Sequence, residues 1–225
     1  MLLCSILWNE LFLFTVYTNM KKTLLSLLLA AVLLSFTACS GLVKLTPEGN
    51  GYVDGKNGIT YLCAPVSYEP KKLGDEYAYY KTKSGEVKLH TVGESDPKQW
   101  LSESYDGIGA LYYSSDITLP TIAEFGADSI YVCIVGDVIM HVLTIDDAAT
   151  INEIISIMTT SEPVSMPASG AQSYHLKFIS PAYPDIYYDI LYIIDNDDNG
   201  LFYDRSTKCA YEAGNVLSDL GNPIS

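Results

Sequence analysis

The sequence has few basic residues, few histidines and no closely paired cysteines, and each shortage excludes a class of protein. Its 225 residues include 13 Lys and Arg against 27 Asp and Glu, a net charge of −14. Such a surface repels phosphate backbones, so nucleic-acid binding is excluded. The three His form no HExxH motif and no CxxC pair occurs, so neither a zinc-dependent peptidase nor a zinc-ribbon or thioredoxin-like site is indicated.

The composition that remains is that of an ordinary globular protein. Hydrophobic residues make up 48% of the chain and charged residues 18%. These values exclude extended disorder and suit one or at most two domains. Any specific function must therefore reside in local motifs.

The first forty residues have the parts of an export signal. Positions 20–22 are Met-Lys-Lys, and ten of the 13 positions in 23–35 are Leu, Ala or Val. Phe-Thr-Ala-Cys follows at 36–39. A positive start, an apolar stretch and a small-residue cleavage site define a signal peptide. The apolar stretch of about 16 residues is shorter than the roughly 20 that a membrane-spanning helix needs.

The residues at 36–39 resemble the lipobox of bacterial lipoproteins, with Phe36 in place of the usual Leu. The resemblance implies diacylglyceryl transfer to the sulfur of Cys39, cleavage before Cys39 and acylation, for example by palmitate, of the new amino group. It therefore implies an extracytoplasmic protein held in the outer leaflet of the cell membrane by lipidated Cys39. Two or three acyl chains anchor a protein stably, whereas one does not.

This interpretation divides the N-terminal part of the chain. We expect residues 1–38 to be the signal peptide and Met20 to be the true start, because the positive charge must adjoin the apolar stretch. Residues 1–19 contain no basic residue, as expected of translated upstream sequence. We expect residues 39–50 to form a lipidated tether.

Periodicity predicts that 51–225 is a single α+β domain with a mainly antiparallel sheet; the alternative is a split near 162–172. Short runs rich in Tyr and Val, separated by turn residues, predict the strands. Hairpin turns are predicted at Ser84-Gly85 and at 135–137. The predicted strands are 59–64, 76–83, 86–92, 108–113, 129–135, 137–145, 174–178, 186–194, 201–204 and 209–212.

One helix is predicted, at about 147–159, with a weaker one at 215–220. Asp146 and Asp147 precede the first helix as a cap. Apolar residues then recur at the spacing of one helix face, and we expect this stripe to pack on a face of the sheet. The stripe consists of Ile151, Ile154, Ile155 and Met158.

The order strand, capped helix, strand and hairpin between 137 and 212 resembles small uncharacterised modules in lipoproteins of Gram-positive bacteria. Ile-Asp-Asp at 145–147 and Tyr-Asp-Arg-Ser-Thr-Lys at 203–208 carry this resemblance. It implies an extracytoplasmic domain without assigned chemistry, and it transfers no site residue.

The strongest metal-binding candidate is an acidic turn late in the chain. Asp195, Asp197 and Asn199 match positions 1, 3 and 5 of an EF-hand-like calcium loop, and Gly200 matches position 6. Position 12 is Ser206 in place of the bidentate Glu, and no flanking helices are predicted. A plain hairpin turn explains the same residues, so we assign no metal ligand.

Two further motifs are incomplete. Ser95 and Lys98 match the Ser-x-x-Lys pattern of penicillin-recognising enzymes, but no Lys-Thr-Gly follows. Gly107 and Gly109 begin a dinucleotide fingerprint in which Tyr112 stands where a small residue is needed. We therefore predict a solvated loop at the first motif and no cofactor at the second.

Three Cys follow Cys39 in the chain. Cys133 lies in an apolar run that predicts a buried strand, where a free Cys acts as a small hydrophobic residue. A disulfide between Cys63 and Cys209 is left open, because the sequence does not place them near each other.

The histidines do not share metal-ligand spacing. His90 and His175 fall on the polar faces of predicted strands, and His141 lies in an apolar run that indicates a partly buried side chain. A dyad of Cys63 and His90 is arithmetically possible, but a free nucleophilic Cys outside the cell is prone to oxidation. We assign no catalytic residue.

Tyr is abundant, with 18 residues and clusters at 77–80, 112–113 and 183–188. Exposed Tyr among acidic residues would suit a sugar or a protein partner; Tyr filling half-buried strand positions is the alternative. We expect a membrane-anchored, non-catalytic module that binds a protein, peptide or glycan. The alternative is a hydrolase of the cell envelope, which needs a deep pocket that gathers His or Cys with acids.

Overall fold

The computed structural model describes residues 41–103, 109–136, 138–166 and 170–218. These residues form two β-sheets and one α-helix, α1 (Ala148–Thr160), which confirms the predicted α+β class. The strands are β1 (Val43–Lys44), β2 (Thr46–Glu48), β3 (Gly51–Asp54), β4 (Ile59–Cys63), β5 (Tyr68–Pro70), β6 (Leu73–Thr82), β7 (Gly85–Val92), β8 (Trp100–Ser102), β9 (Leu111–Ser114), β10 (Ser129–Val135), β11 (Ile139–Ile145), β12 (Gly170–Ser180), β13 (Tyr183–Asp195), β14 (Gly200–Asp204) and β15 (Cys209–Glu212).

The first sheet curls until its two ends meet. Its strand order is β1-β6-β7-β8-β9-β4-β3-β2, and only the pair β1–β6 is parallel. Strands β1 and β2 lie at opposite ends of this order, yet only Leu45 separates them in the chain. Tyr52 of β3 stacks on Tyr80 of β6 with ring centroids 4.2 Å apart. The curled sheet encloses a small core of Leu45, Tyr61, Ala78, Tyr80, Leu89, Leu101 and Tyr112.

The segment predicted as a tether belongs to the fold from Val43 onward. Leu45 is 1% exposed, and its backbone N–H donates to the carbonyl of Tyr79 at 2.8 Å. The prediction of a tether over 39–50 is therefore wrong for residues 43–48. The alternation of Val43, Lys44, Leu45 and Thr46 stops at Pro47 and is too short to predict a strand. These residues are held by backbone pairing and by the burial of Leu45.

The second sheet has the order β11-β10-β12-β13-β14-β15, and every pairing is antiparallel. Strand β13 is long enough for two partners on one edge: β14 pairs with its second half and β5 with its first half. Strand β5 thereby ties the first half of the chain to the second sheet. The main core contains residues of both sheets, including Trp100, Leu111, Leu176 and Phe202.

Helix α1 covers this core, as predicted. The Asp147 carboxylate accepts the backbone N–H of Thr150 at 2.9 Å and caps the first turn. Ile151, Ile154 and Met158 are buried, whereas Ile155 is half-buried. The stripe therefore faces the protein interior.

The described residues from Leu42 onward form one compact unit, which runs through the alternative boundary predicted at 162–172. Within that described part of the chain, no helix has both the length and the apolar character needed to cross a membrane. The predicted signal peptide and Cys39 lie outside the described residues. Residues 214–217 form turns where the weaker helix was predicted to begin.

Candidate functional site

The face of the second sheet that points away from the core carries ionisable side chains. Alternation along β12 buries Leu176 and Phe178 in the core, and it places His175 and Lys177 on the opposite face. Asp189 of β13 is the register partner of Lys177. Glu69 of β5 and Arg205, directly after β14, join them there. We call Glu69, His175, Lys177, Asp189 and Arg205 the charge network.

Asp189 is the centre of the charge network and has no exposed surface. Its Oδ2 lies 2.9 Å from Nδ1 of His175 in a hydrogen bond, and it also accepts from the guanidinium of Arg205. The same guanidinium nitrogen donates to Oε1 of Glu69 at 2.8 Å. Lys177 donates to the other oxygen of Glu69. Two acidic side chains are thus paired with two basic side chains.

Burial and pairing act in opposite directions on the two acids. Burial raises the pKa of Asp189 above its usual range, and the hydrogen bond from His175 only partly opposes this. Burial also acts to raise the pKa of Glu69. There the charges of Lys177 and Arg205, together with their hydrogen bonds, prevail and lower that pKa. Glu69 is therefore the more firmly ionised acid of the two.

Three members of the charge network have the geometry of metal ligands. Ligand atoms of Glu69, His175 and Asp189 all lie within 4.8 Å of one another. However, Arg205 contacts both carboxylates and Lys177 contacts Glu69. These basic side chains already pair with the carboxylates whose charge a metal ion would neutralise. The geometry favours an ion-pair network over a metal centre.

A cysteine lies beside the charge network. Cys133 of β10 is in register with His175 of β12 on one side and with His141 of β11 on the other. A nucleophilic Cys must be accessible and must ionise readily. Cys133 is 3% exposed, and burial raises the pKa of its thiol. Cys133 therefore lies in register with His175, which bonds to Asp189, but it is not an activated nucleophile.

The other proposed pairs of reactive residues do not meet. Cys63, Cys133 and Cys209 are all free, so the disulfide between Cys63 and Cys209 that the sequence leaves open is not formed. Cys63 lies on β4 and His90 on β7, with β8 and β9 between those strands. The geometry does not support the Cys63 and His90 dyad.

The acidic turn between β13 and β14 is held by hydrogen bonds from its backbone to the side chain of Asp195. Asp195 Oδ1 accepts the N–H groups of Asp197 at 2.9 Å and of Asn199 at 2.8 Å. A Cβ on Gly200 would lie 2.5 Å from the hydroxyl oxygen of Tyr192. Close packing on that ring therefore requires Gly200, and this explains the glycine without a calcium loop.

We expect the protein to fold independently of calcium, because the turn lacks the twelfth-position carboxylate and Asp195 already accepts backbone hydrogen bonds. Adding EDTA should leave the melting temperature within experimental error in differential scanning calorimetry. A large upward shift on adding calcium, abolished by Asp197→Ala, would restore the calcium-loop interpretation.

The Ser-x-x-Lys motif also serves local structure. The hydroxyl of Ser95 donates to Oδ2 of Asp185 at 2.7 Å. The backbone N–H of Lys98 donates to Oδ1 of Asp96 at 2.9 Å. These bonds explain the motif as a loop. The start of the glycine motif, Gly107, lies outside the described residues.

We compare three of the clefts on the described surface with the pocket that a hydrolase needs. A cleft of about 320 Å³ lies beside Met158 and Asp204, one of about 440 Å³ beside Trp100 and Asp185, and one of about 530 Å³ beside Asp195. None of the three is lined by His or Cys. They therefore do not provide the pocket that the envelope-hydrolase alternative needs.

The tyrosines mostly fill half-buried or buried positions. Tyr80, Tyr112 and Tyr188 are buried, and among the described tyrosines only Tyr131 is exposed, at 36%. The hydroxyls of Tyr80 and Tyr112 both donate to Oε1 of Glu103 at 2.5 and 2.6 Å. The described tyrosines therefore match the prediction that Tyr fills half-buried strand positions, and they form no contiguous exposed face on the described surface.

Exposed apolar surface is concentrated instead on the hairpin of β10 and β11. Six of the eight large hydrophobic side chains that are exposed in the described residues lie there. We call these six the hairpin patch: Tyr131, Val135, Val138, Ile139, Met140 and Val142. Strand β11 pairs with β10 alone among the described strands, and its seven residues include no Asp, Glu, Lys, Arg or Pro.

Comparison with models of protein families, with curated protein sequences and with solved structures finds no match for this chain. A function for this chain is therefore inferred from the geometry of the charge network and the hairpin patch.

Proposed function

We propose that this protein is a lipid-anchored, extracytoplasmic, non-catalytic module that binds a partner polypeptide through the hairpin patch. The observation that carries this proposal is the edge strand β11, in which five of the seven residues are apolar and none is Asp, Glu, Lys or Arg. Folded proteins usually protect such edges with Lys, Pro or a covering segment, because unpaired backbone groups invite another chain to pair. Among the described residues no strand covers this edge, and β11 contains no Lys or Pro, which suits an interaction surface.

The base of the hairpin is held against the charge network. The ring of Tyr131 lies 4.7 Å from that of His141 and 6.4 Å from that of Tyr187, measured between centroids. Nζ of Lys177 lies 5.3 Å from the centroid of the Tyr187 ring. The charge network thus orders the strands beneath the hairpin patch, and a pre-ordered surface loses less entropy when a partner binds.

The proposed anchor would place the domain at the bilayer. Cys39 precedes the first strand residue, Val43, by only four positions. An extended chain of that length spans at most about 14 Å. The hairpin patch would therefore act on partners close to the membrane surface.

The anchor is tested at Cys39. We expect the full chain, produced in a bacterial host, to sediment with membranes and its mature terminus to be an acylated Cys39 by mass spectrometry. Cys39→Ala should abolish the acyl mass and release most of the protein, because the lipid supplies the membrane affinity. Cys63→Ala is the matched control and should remain membrane-bound. A Cys39→Ala protein that keeps both the mass shift and the membrane location would refute the anchor.

A further inference from the structure

We infer that the partner segment is an extended peptide that adds antiparallel to β11 and carries Lys or Arg at its N-terminal end. This inference rests on the proposed function and specifies the chemistry of its partner. An extended segment is favoured because β11 pairs with β10 alone among the strands that the structure describes. Added strands gain their affinity from backbone hydrogen bonds to such an edge.

The side chains of β11 specify the central part of the peptide. Ile139, Met140 and Val142 are all exposed, at 46%, 55% and 42%. Exposed apolar side chains are therefore available over residues 139–142, and the strand contains no Asp, Glu, Lys or Arg. Apolar and β-branched residues at alternate positions of the peptide would cover this surface.

The charges at the end of β11 specify the flank. Asp146 and Asp147 follow Ile145 directly, and both are exposed. The Asp147 carboxylate is already bonded to Thr150 as the cap of α1, whereas Asp146 adjoins the strand. A peptide residue beside them is favoured when it is basic. Antiparallel strands run in opposite directions, so the N-terminal end of the peptide meets these acids.

Charge also disfavours a second copy of this chain as the occupant. Each copy has a net charge of −14, so two copies repel each other at long range. Self-pairing along β11 would bring its neutral residues together and supply no cation to Asp146 or Asp147. The negative charge that opposes self-association instead attracts a basic partner.

The test measures binding of four fluorescent peptides to the purified full-length chain by anisotropy. Each peptide has the same core of alternating Thr and Val, flanked by two Lys at the N-terminus, two Lys at the C-terminus, two Glu at the N-terminus, or no charge. We expect the peptide with N-terminal Lys to bind about tenfold more tightly than the peptide with Glu. This preference should shrink as salt is added.

Two variants distinguish the contribution of the β11 edge from that of the acidic residues that follow it. Val142→Lys places a charge in the exposed strand and should weaken all four peptides, while circular dichroism shows an unchanged fold. Asp146→Asn should leave binding of the uncharged peptide intact and remove at least half of the preference, in free energy, for N-terminal Lys. Glu153→Gln, an exposed position on α1, is the matched control and should change neither quantity.

The failures are distinguishable. Equal binding of all four peptides, or preference for C-terminal Lys, overturns the inferred flank and leaves the proposed binding role standing. If no peptide binds, the proposed peptide-binding role and the inference both fail. Sedimentation that shows a dimer lost in Val142→Lys overturns the inference in favour of a second copy.

Discussion

Asp189→Ala should lower the free energy of unfolding by about 3 to 5 kcal/mol, the range for breaking one partner out of a buried ion pair. Asp189 is fully buried and pairs with both His175 and Arg205. Its removal leaves Arg205 bonded to Glu69 alone, and the Nε atom of Arg205 already has no acceptor among the described residues. Urea denaturation followed by circular dichroism measures the loss.

A second variant separates lost contacts from uncompensated charge. Asp189→Ala combined with Arg205→Met removes one charge of each sign and leaves Glu69 paired with Lys177. We expect this double variant to lose at least about 1 kcal/mol less than the sum of the two single variants, because neighbours in one network do not act additively. Strict additivity would contradict the network interpretation.

An exposed ion pair provides the control for burial. Lys88 and Glu76 bond at 2.7 Å, with side chains 49% and 40% exposed. Glu76→Ala should therefore cost less than about 1 kcal/mol, as for exposed pairs in general. The contrast with Asp189→Ala isolates the effect of removing a charge partner from a buried site.

The local sequence pattern was sufficient to predict the strands and the helix whose patterns are clearest. Strands β10 and β15 have the bounds predicted from their apolar runs, and α1 begins and ends one residue after its predicted bounds. Each is specified by residues adjacent in sequence: a continuous apolar run, a cap at Asp147 or a stripe at helical spacing. Their identification does not depend on what they pack against.

Elements specified by distant partners were not predicted. Strands β1, β2 and β5 have two or three residues each, too few to show a period. Strand β5 ends at Pro70 and is ordered by Ile186, Tyr187 and Tyr188 of β13. The division into two sheets likewise depends on pairings across long sequence separations, which alternation along a single strand does not encode.

The same limit applies to the candidate site. Alternation correctly placed His175 on the face opposite the core. It could not show that Glu69, more than one hundred positions away from Lys177, lies beside it. The uncharged run of β11 was visible as a strand, whereas its position at the edge of a sheet was not. The residues of a strand do not show whether it lies at a sheet edge. Only the sheet order shows that β11 has one neighbour among the described strands.

Ile154→Ala should destabilise the protein by about 2 to 5 kcal/mol, because it removes buried apolar surface and leaves a cavity. Ile154 has no exposed surface and lies in the main core. Helix α1 has only 13 residues, a length at which an isolated helix is marginal and depends on tertiary packing. Loss of this contact therefore weakens the docking of the whole element. We expect more than 1.5 kcal/mol by chemical denaturation.

Glu153→Ala is the matched control on the same helix, one position away and exposed. Its effect should stay within about 0.5 kcal/mol, as for surface positions generally. Equal and small effects of Ile154→Ala and Glu153→Ala would mean that α1 does not pack on the core in solution. Its apolar stripe would then be a second exposed surface on which a partner could bind, in addition to the hairpin patch.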